Sequence, residues 1–479
     1  MQPRIGFSWS PYDGTVVRGG YGLFSALNQG STYYAMRVEN GIVQVNYNYS
    51  GCGATSGAST ASCSSVPNSA SALSYPNVPF LPTGPSLSGS LHPVGGAVSA
   101  VNGPTKLGAQ SFHGLDPNFV PPLAHEMNLS IEQKMPGKMS LQVGYVGTRG
   151  LRLPVFVDAN LVGQTPHGAR TYNVLNASGA LVQQLTVPVY LPSDRINTSL
   201  ASFNTGFSKA NTWYNSMAVT VRRPFANGLQ VLMNYTWAKA TDDDQVGGAF
   251  GTFFGGNTPL DPNNIKIENG PSDTDIRNRM TLSFVYQPKI MQDNKIVKHI
   301  LDDFVFSGTE IASGGQPIFI GMSGTVYSGA TSSSSYGAEG NIYGGAMSSS
   351  SGFATTGRAP QIGRNSIKAP GYNDLDMRIA RDIPIHESVK LQFTADAFNV
   401  LNHTIITGVN STYSQYTSAA ATGACSTATQ TPGTAAAPLQ GCIAPFSGTA
   451  LSAFGATSST SSSILFGARQ LQVSAKLFF

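Results

Sequence analysis

What most constrains this chain is where its long connections fall. Segments with strict two-residue alternation recur at approximately 4–10, 15–24, 125–134, 139–148, 213–223, 229–240, 279–288, 303–312, 372–382, 389–400 and 469–479. Leu229, Val231, Met233, Tyr235 and Trp237 form one apolar row. Val389, Leu391, Phe393, Ala395 and Ala397 form another, opposed by Lys390, Gln392, Thr394 and Asp396. Short turns join the segments in pairs at Pro11–Gly14, Pro136–Lys138, Pro224–Gly228 and Ile383–Ser388, with a somewhat longer link from Pro288 to Asp302. Between the pairs run links at about 25–124, 149–212, 241–278, 313–371 and 401–468, rich in Gly, Ser, Ala, Thr and Asn. Loops beyond about 12–15 residues are uncommon in compact domains. Strict alternation of short and long connections puts every long one on the same side of an antiparallel sheet.

Short turns on one side and long loops on the other are the habit of an outer-membrane β-barrel, whose tilted strands cross the hydrocarbon in about 9–11 residues. In hydrocarbon every backbone N–H and C=O needs a protein partner, so strands persist there only in a closed barrel. The expected fold is all-β, an antiparallel transmembrane β-barrel in the outer membrane of a Gram-negative cell, with its long loops extracellular. Outer-membrane lipid is then a partner along the whole apolar face. Trp9, Trp213 and Trp237 fall near predicted strand ends, where an interfacial aromatic girdle belongs. A soluble β-sandwich or propeller also alternates. It explains neither the one-sided long loops nor a charged content of 11%, against about 25% in ordinary soluble domains.

The chain has no run of about eighteen apolar residues that would make a transmembrane helix. Met1 to Gly6 lacks the apolar core of a signal peptide, which in an outer-membrane protein points to an N-terminal region outside this sequence. The formal net charge of +4 is spread along the chain, giving no basic face for nucleic acid. The eleven expected strands carry a parity argument as well. With short turns periplasmic, the first and last strands both run inward, whereas single-chain bacterial barrels have an even count and both termini in the periplasm. Eleven is half of the 22 strands of plugged outer-membrane transporters.

Several stretches resemble a known family. "PRIGFSWSPYDGTVVRGGYGLF" (3–24), "LDPNFVPPLAHEMNLSIEQKMPGKMSLQVGYVGTRGLRL" (115–153), "GPSDTDIRNRMTLSFVYQP" (270–288), "YNDLDMRIARDIPIHESVKLQFTADAFNVLNHT" (372–404) and the terminal "RQLQVSAKLFF" are similar, in order, to the C-terminal barrel of Oar-like TonB-dependent outer-membrane receptors. Members of that family carry a signal peptide, a small carbohydrate-binding-like domain, a TonB-contacting segment and a plug before the barrel. None of these is found in 1–479, which reads as the C-terminal portion of the barrel. The resemblance implies energised uptake of a large, unidentified extracellular ligand, with the TonB energy-coupling complex engaged only through the missing N-terminal regions. A passive pore and a surface-binding barrel that transports nothing are the alternatives. The resemblance also makes the last strand a recognition signal for the barrel-assembly machinery, with Leu471, Val473, Ala475 and Leu477 facing lipid and Phe479 at the periplasmic interface.

Candidate sites are sparse. Asp273, Asp275, Arg277 and Arg279 alternate at the mouth of a strand, either pairing across the lumen wall to anchor a plug or forming a solvated junction. Asp242, Asp243 and Asp244, with Asp261 beyond, match no calcium-loop spacing and read as a hydrated loop rather than a cation site. The cysteines form two local pairs, Cys52 with Cys63 and Cys425 with Cys442, without nearby His. They read as loop-stapling disulfides of an oxidising compartment, with free thiols the alternative. Asn399 and Asn402 read as turn-formers in left-handed conformation. The histidines are scattered, and neither a G-x-S-x-G elbow nor a phosphate-binding loop occurs, so neither an enzyme nor a cofactor is expected.

Overall fold

A computed structural model describes residues 2–26, 110–243, 261–288, 304–323, 356–417, 439–445, 455–460 and 467–479, with short internal breaks. Its main element is a thirteen-stranded sheet in which eleven strands form one antiparallel path in chain order, while Gln110–Leu115 pairs parallel with Leu200–Ala226 and Asn269–Pro271 antiparallel with Leu229–Asp243 off that path. The eleven are β1 (Arg4–Tyr12), β2 (Thr15–Ser25), β3 (Leu123–Met135), β4 (Met139–Asp158), β5 (Leu200–Ala226) and β6 (Leu229–Asp243). The remainder are β7 (Asn278–Tyr286), β8 (Phe304–Ser313), β9 (Tyr372–His386), β10 (Val389–Phe398) and β11 (Gln470–Phe478). The sheet is not closed: among the described residues β1 pairs only with β2 and β11 only with β10. No helix among the described residues is long and apolar enough to cross a membrane, a statement that has no bearing on strands.

Local chemistry explains the tight ends. Asp13-Gly14 turns β1 into β2 with Gly14 at φ 82°, and Asn227-Gly228 turns β5 into β6 with φ of 50° and 78°. Asn227-Gly228 has positive φ at both residues, as a type I′ hairpin turn needs, and Asn and Gly adopt it most easily.

Register decides which side chains share a face. Leu129 lies opposite Tyr145, Tyr145 opposite Met217, and Met217 opposite Trp237. Further along, Phe284, Gly308, Met377, Ala397 and Leu471 form one row across five strands. This apolar face is uncovered, with Leu129 at 47% exposure and Val473 at 78%. Glu310, paired with Leu282 and Leu375, is its acidic exception. The opposite face is polar. Arg18 pairs with Glu132 at 2.9 Å, Thr220 donates to Asn234 at 2.9 Å, and Arg378 grips Asp396 at 2.5 and 3.2 Å. Thr394 and Ser474 hydroxyls meet at 2.5 Å. A sheet with a bare apolar face and a cross-linked polar one is ordered correctly for lipid outside and water inside.

The apolar core lies elsewhere. Val155, Val157, Phe207 and Ala210 are buried together, with Leu153, Val162 and Ile265 against them, and Leu161 packs with Tyr190. These residues sit where β4 and β5 run on past the rim, pairing from Leu153 with Ala210 to Asp158 with Asn204. The expectation of a long loop over 149–212 is therefore corrected. Its ends, 149–158 and 200–212, are strand, because Leu153, Val155 and Val157 on one side and Phe207 and Ala210 on the other are apolar residues that bury against each other in water. Trp213 consequently lies inside β5 rather than at its end. Smaller sheets are built from the remaining links. Pro317–Ile318 pairs with Ile367–Lys368, and a six-stranded sheet draws on segments from 168 to 445.

Candidate functional site

The polar face ends in a charged rim at the extracellular ends of β6 and β7. Arg364 is buried there. Its Nε donates to the Glu268 carbonyl at 2.7 Å, and one terminal nitrogen donates to the Asp242 carbonyl at 3.0 Å and to the Asp242 carboxylate. Its other terminal nitrogen stands 3.8 Å from the Asp273 carboxylate. Asn365, in left-handed conformation at φ 55°, donates to the Pro271 carbonyl at 3.0 Å and to Asp273 at 2.5 Å. Asp275 is buried. It accepts from the Ala240 amide at 2.7 Å and from Lys368 Nζ at 2.9 Å, and forms an ion pair with Arg277 Nε at 3.2 Å. Asp243 accepts from Asn269 at 2.8 Å and Asn211 at 3.1 Å. The result is a latch that holds 265–277 and 361–368 onto the end of β6.

Of the charged row expected from the sequence, Asp275 and Arg277 come together, while Asp273 turns to Arg364 and Asn365. Arg279 stands apart, with no carboxylate partner among the described residues. Arg364 and Lys368 were not foreseen. A signal existed: in the link 313–371 the charged residues are Glu339 and then Arg358, Arg364 and Lys368, three cations with no acid among them. Asp261 accepts from the Asn263 amide at 2.8 Å and from the Tyr190 hydroxyl at 3.4 Å, and Asp244 lies outside the described residues. Cys52, Cys63 and Cys425 also lie outside them, so neither cysteine pairing is described.

Arg279 borders a cleft of about 560 Å³. Arg279, Ser313 and Tyr372 lie side by side on β7, β8 and β9, on the polar face. Ile276, Pro317, Ile318, Pro370, Ile406 and Val409 supply apolar walls. The floor needs glycine: a Cβ on Gly315 would overlap the Ala369 carbonyl. Behind the cleft, Asn399 fixes the exit of β10. Its Nδ2 donates to the carbonyls of His403 and Gly467 at 2.9 and 2.8 Å, and its Oδ1 accepts from the His403 amide at 2.9 Å. Asn399 and Asn402 both have positive φ, at 47° and 51°, as the turn reading requires.

Higher above the rim, Asp158 is buried where β4 ends. Burial pushes its carboxyl above the usual carboxylate range, while amide hydrogen bonds from Phe203 and Asn160 and the charge of Arg195 oppose that shift. The terminal strand places Leu471, Val473, Ala475 and Leu477 on the apolar face opposite Ala397, Ala395, Phe393 and Leu391. Phe479 follows it, 96% exposed.

No curated protein matches the chain. Among solved structures, FpvA of P. aeruginosa bound to heterologous pyoverdines is similar at 10% identity and a TM-score of 0.37, over 86% of this chain and 30% of that one. The outer membrane transporter YddB from Escherichia coli is similar at 8% identity and 0.37, over 83% and 36%. The ferric-catecholate import receptor Fiu from K12 E. coli follows at 11% and 0.33, over 85% and 32%. The chain thus spans about a third of the length of each. The model of one family, described as an outer membrane beta barrel domain, matches residues 1–472. With a bare apolar face, a polar face opposite and an apolar core above the rim, the chain belongs to the outer membrane β-barrel domain family.

Proposed function

We propose that this chain is the C-terminal barrel portion of an Oar-like, TonB-dependent outer-membrane receptor, and that the intact protein takes up a large extracellular ligand. The observation that carries this is the sidedness of the wall. Tight turns close one end, while the other end carries a latched rim, long links and a cleft that opens on the polar face. Such a rim presents a ligand to the lumen, and the role is transport rather than catalysis. In this reading the energy-coupling complex acts on N-terminal regions, and the wall described here supplies the passage and the outer binding surface.

The test is ligand-independent. Cells carrying the gene and cells deleted for it are grown in the same rich medium, and the compounds each removes are compared. The proposal expects a compound depleted only by cells with the gene, and expects a protonophore to abolish that depletion. Depletion that persists without a proton-motive force would favour a passive pore or a binding barrel and would contradict energised uptake.

A further inference from the structure

We infer that the cleft beside Arg279 is a binding subsite for a small amphipathic carboxylate, held by its anionic end at Arg279 and by its apolar body against the cleft walls. The inference rests on the reading that the polar face lines the lumen. Arg279 shares that face with Thr281 and Ser283, two and four residues along the same strand, so lipid headgroups on the opposite face do not reach it. Arg279 is the only charged side chain lining the cleft among the described residues. Of the neighbouring carboxylates, Asp275 is committed to Lys368 and Arg277 and Asp273 to Asn365 and Arg364, while Asp374, two residues from Tyr372 on the same face, is buried and does not line the cleft. An exposed guanidinium with no carboxylate partner among the described residues is a ready partner for a planar, bidentate carboxylate.

The rest of the cleft sets the body of the ligand. Ile276, Pro317, Ile318, Pro370 and Ile406 offer apolar surface, with the Tyr372 side chain on the same row as Arg279. A volume of about 560 Å³ falls within the roughly 300–1,000 Å³ of small-molecule sites. That size and the mix of one cation with apolar walls suit a small molecule better than a folded partner. An acidic side chain from another part of the intact receptor is the competing occupant.

The test uses outer-membrane vesicles from cells producing the intact receptor, with vesicles from the deletion strain as background. Radiolabelled 2-naphthoate is the probe and neutral 2-naphthamide its isostere, both measured by equilibrium filtration. Heat-modifiable migration shows that each variant is folded in the membrane. The expected result is saturable 2-naphthoate binding that Arg279→Gln weakens about tenfold or more. Arg279→Lys should bind more tightly than Arg279→Gln, and Lys476→Gln, on the same face but remote, should bind as the unsubstituted receptor does. Naphthamide should not distinguish the unsubstituted receptor from Arg279→Gln. Binding no greater than in deletion-strain vesicles, as expected if an acidic side chain already fills the site, would overturn the inference. So would equal 2-naphthoate binding by Arg279→Gln. The vesicles are not energised, so this result stands apart from whether uptake needs a proton-motive force.

Discussion

Arg364 does at the rim what no surface ion pair does. It is enclosed against Asp242 and binds two backbone carbonyls as well, so its Nε and one terminal nitrogen are met by oxygens of the latch. Removing one partner of such a buried pair leaves an uncompensated charge and typically costs about 3–5 kcal/mol. Arg364→Met should therefore open the latch locally, with amides of 269–277 and 361–368 exchanging hydrogen far faster while β3 and β4 are unchanged. Unchanged exchange at the rim would contradict this account. The row Asp273, Asp275, Arg277 and Arg279 was legible as a charged strand mouth, but its pairing was not. Asp275 meets Lys368 across 93 positions of sequence, and local spacing holds no information about a contact made by a long link folding back. The turn roles of Asn399 and Asn402 were legible because they depend only on local backbone preference.

At the scale of elements, the strand is the unit that separates lipid from water, and a single step along it reverses the environment. Val143 lies on the apolar face between Ile131 and Val219, while Gln142 lies on the polar face between Glu132 and Thr220. An arginine on the lipid face costs about 2–4 kcal/mol near the bilayer midplane. Val143→Arg should sharply reduce the amount of heat-modifiable protein in the membrane, whereas Gln142→Arg should leave it unchanged. Equal losses from both would mean that the faces are not distinct. The strands of the antiparallel path were readable from alternation because lipid exposure imposes a strict period of two, whereas Gln110–Leu115, inside the expected 25–124 link, was not. The extensions of β4 and β5 above the rim were not. There the apolar side chains turn inward in water, and "LRLPVFVD" carries a run rather than an alternation, broken by a bulge at Arg152 with φ 60°.

For the whole molecule, the two edges of the sheet matter most. Both β1 and β11 run from the rim towards the tight-turn side, so strands that pair with either edge antiparallel must run outward. An unpaired edge with apolar side chains is a template for aggregation. The 479-residue chain produced alone should therefore aggregate or fail to insert, and heat-modifiable migration after refolding in detergent would count against that. The central claim is sidedness: tight turns in the periplasm and long links outside. It is tested most directly by placing one epitope in the 313–371 link, at Ser335, and the same epitope in the Pro136–Lys138 turn of the intact protein. Antibody should label the Ser335 epitope on intact cells, and should label the turn epitope only after the outer membrane is opened. Labelling of the turn epitope on intact cells would contradict the account.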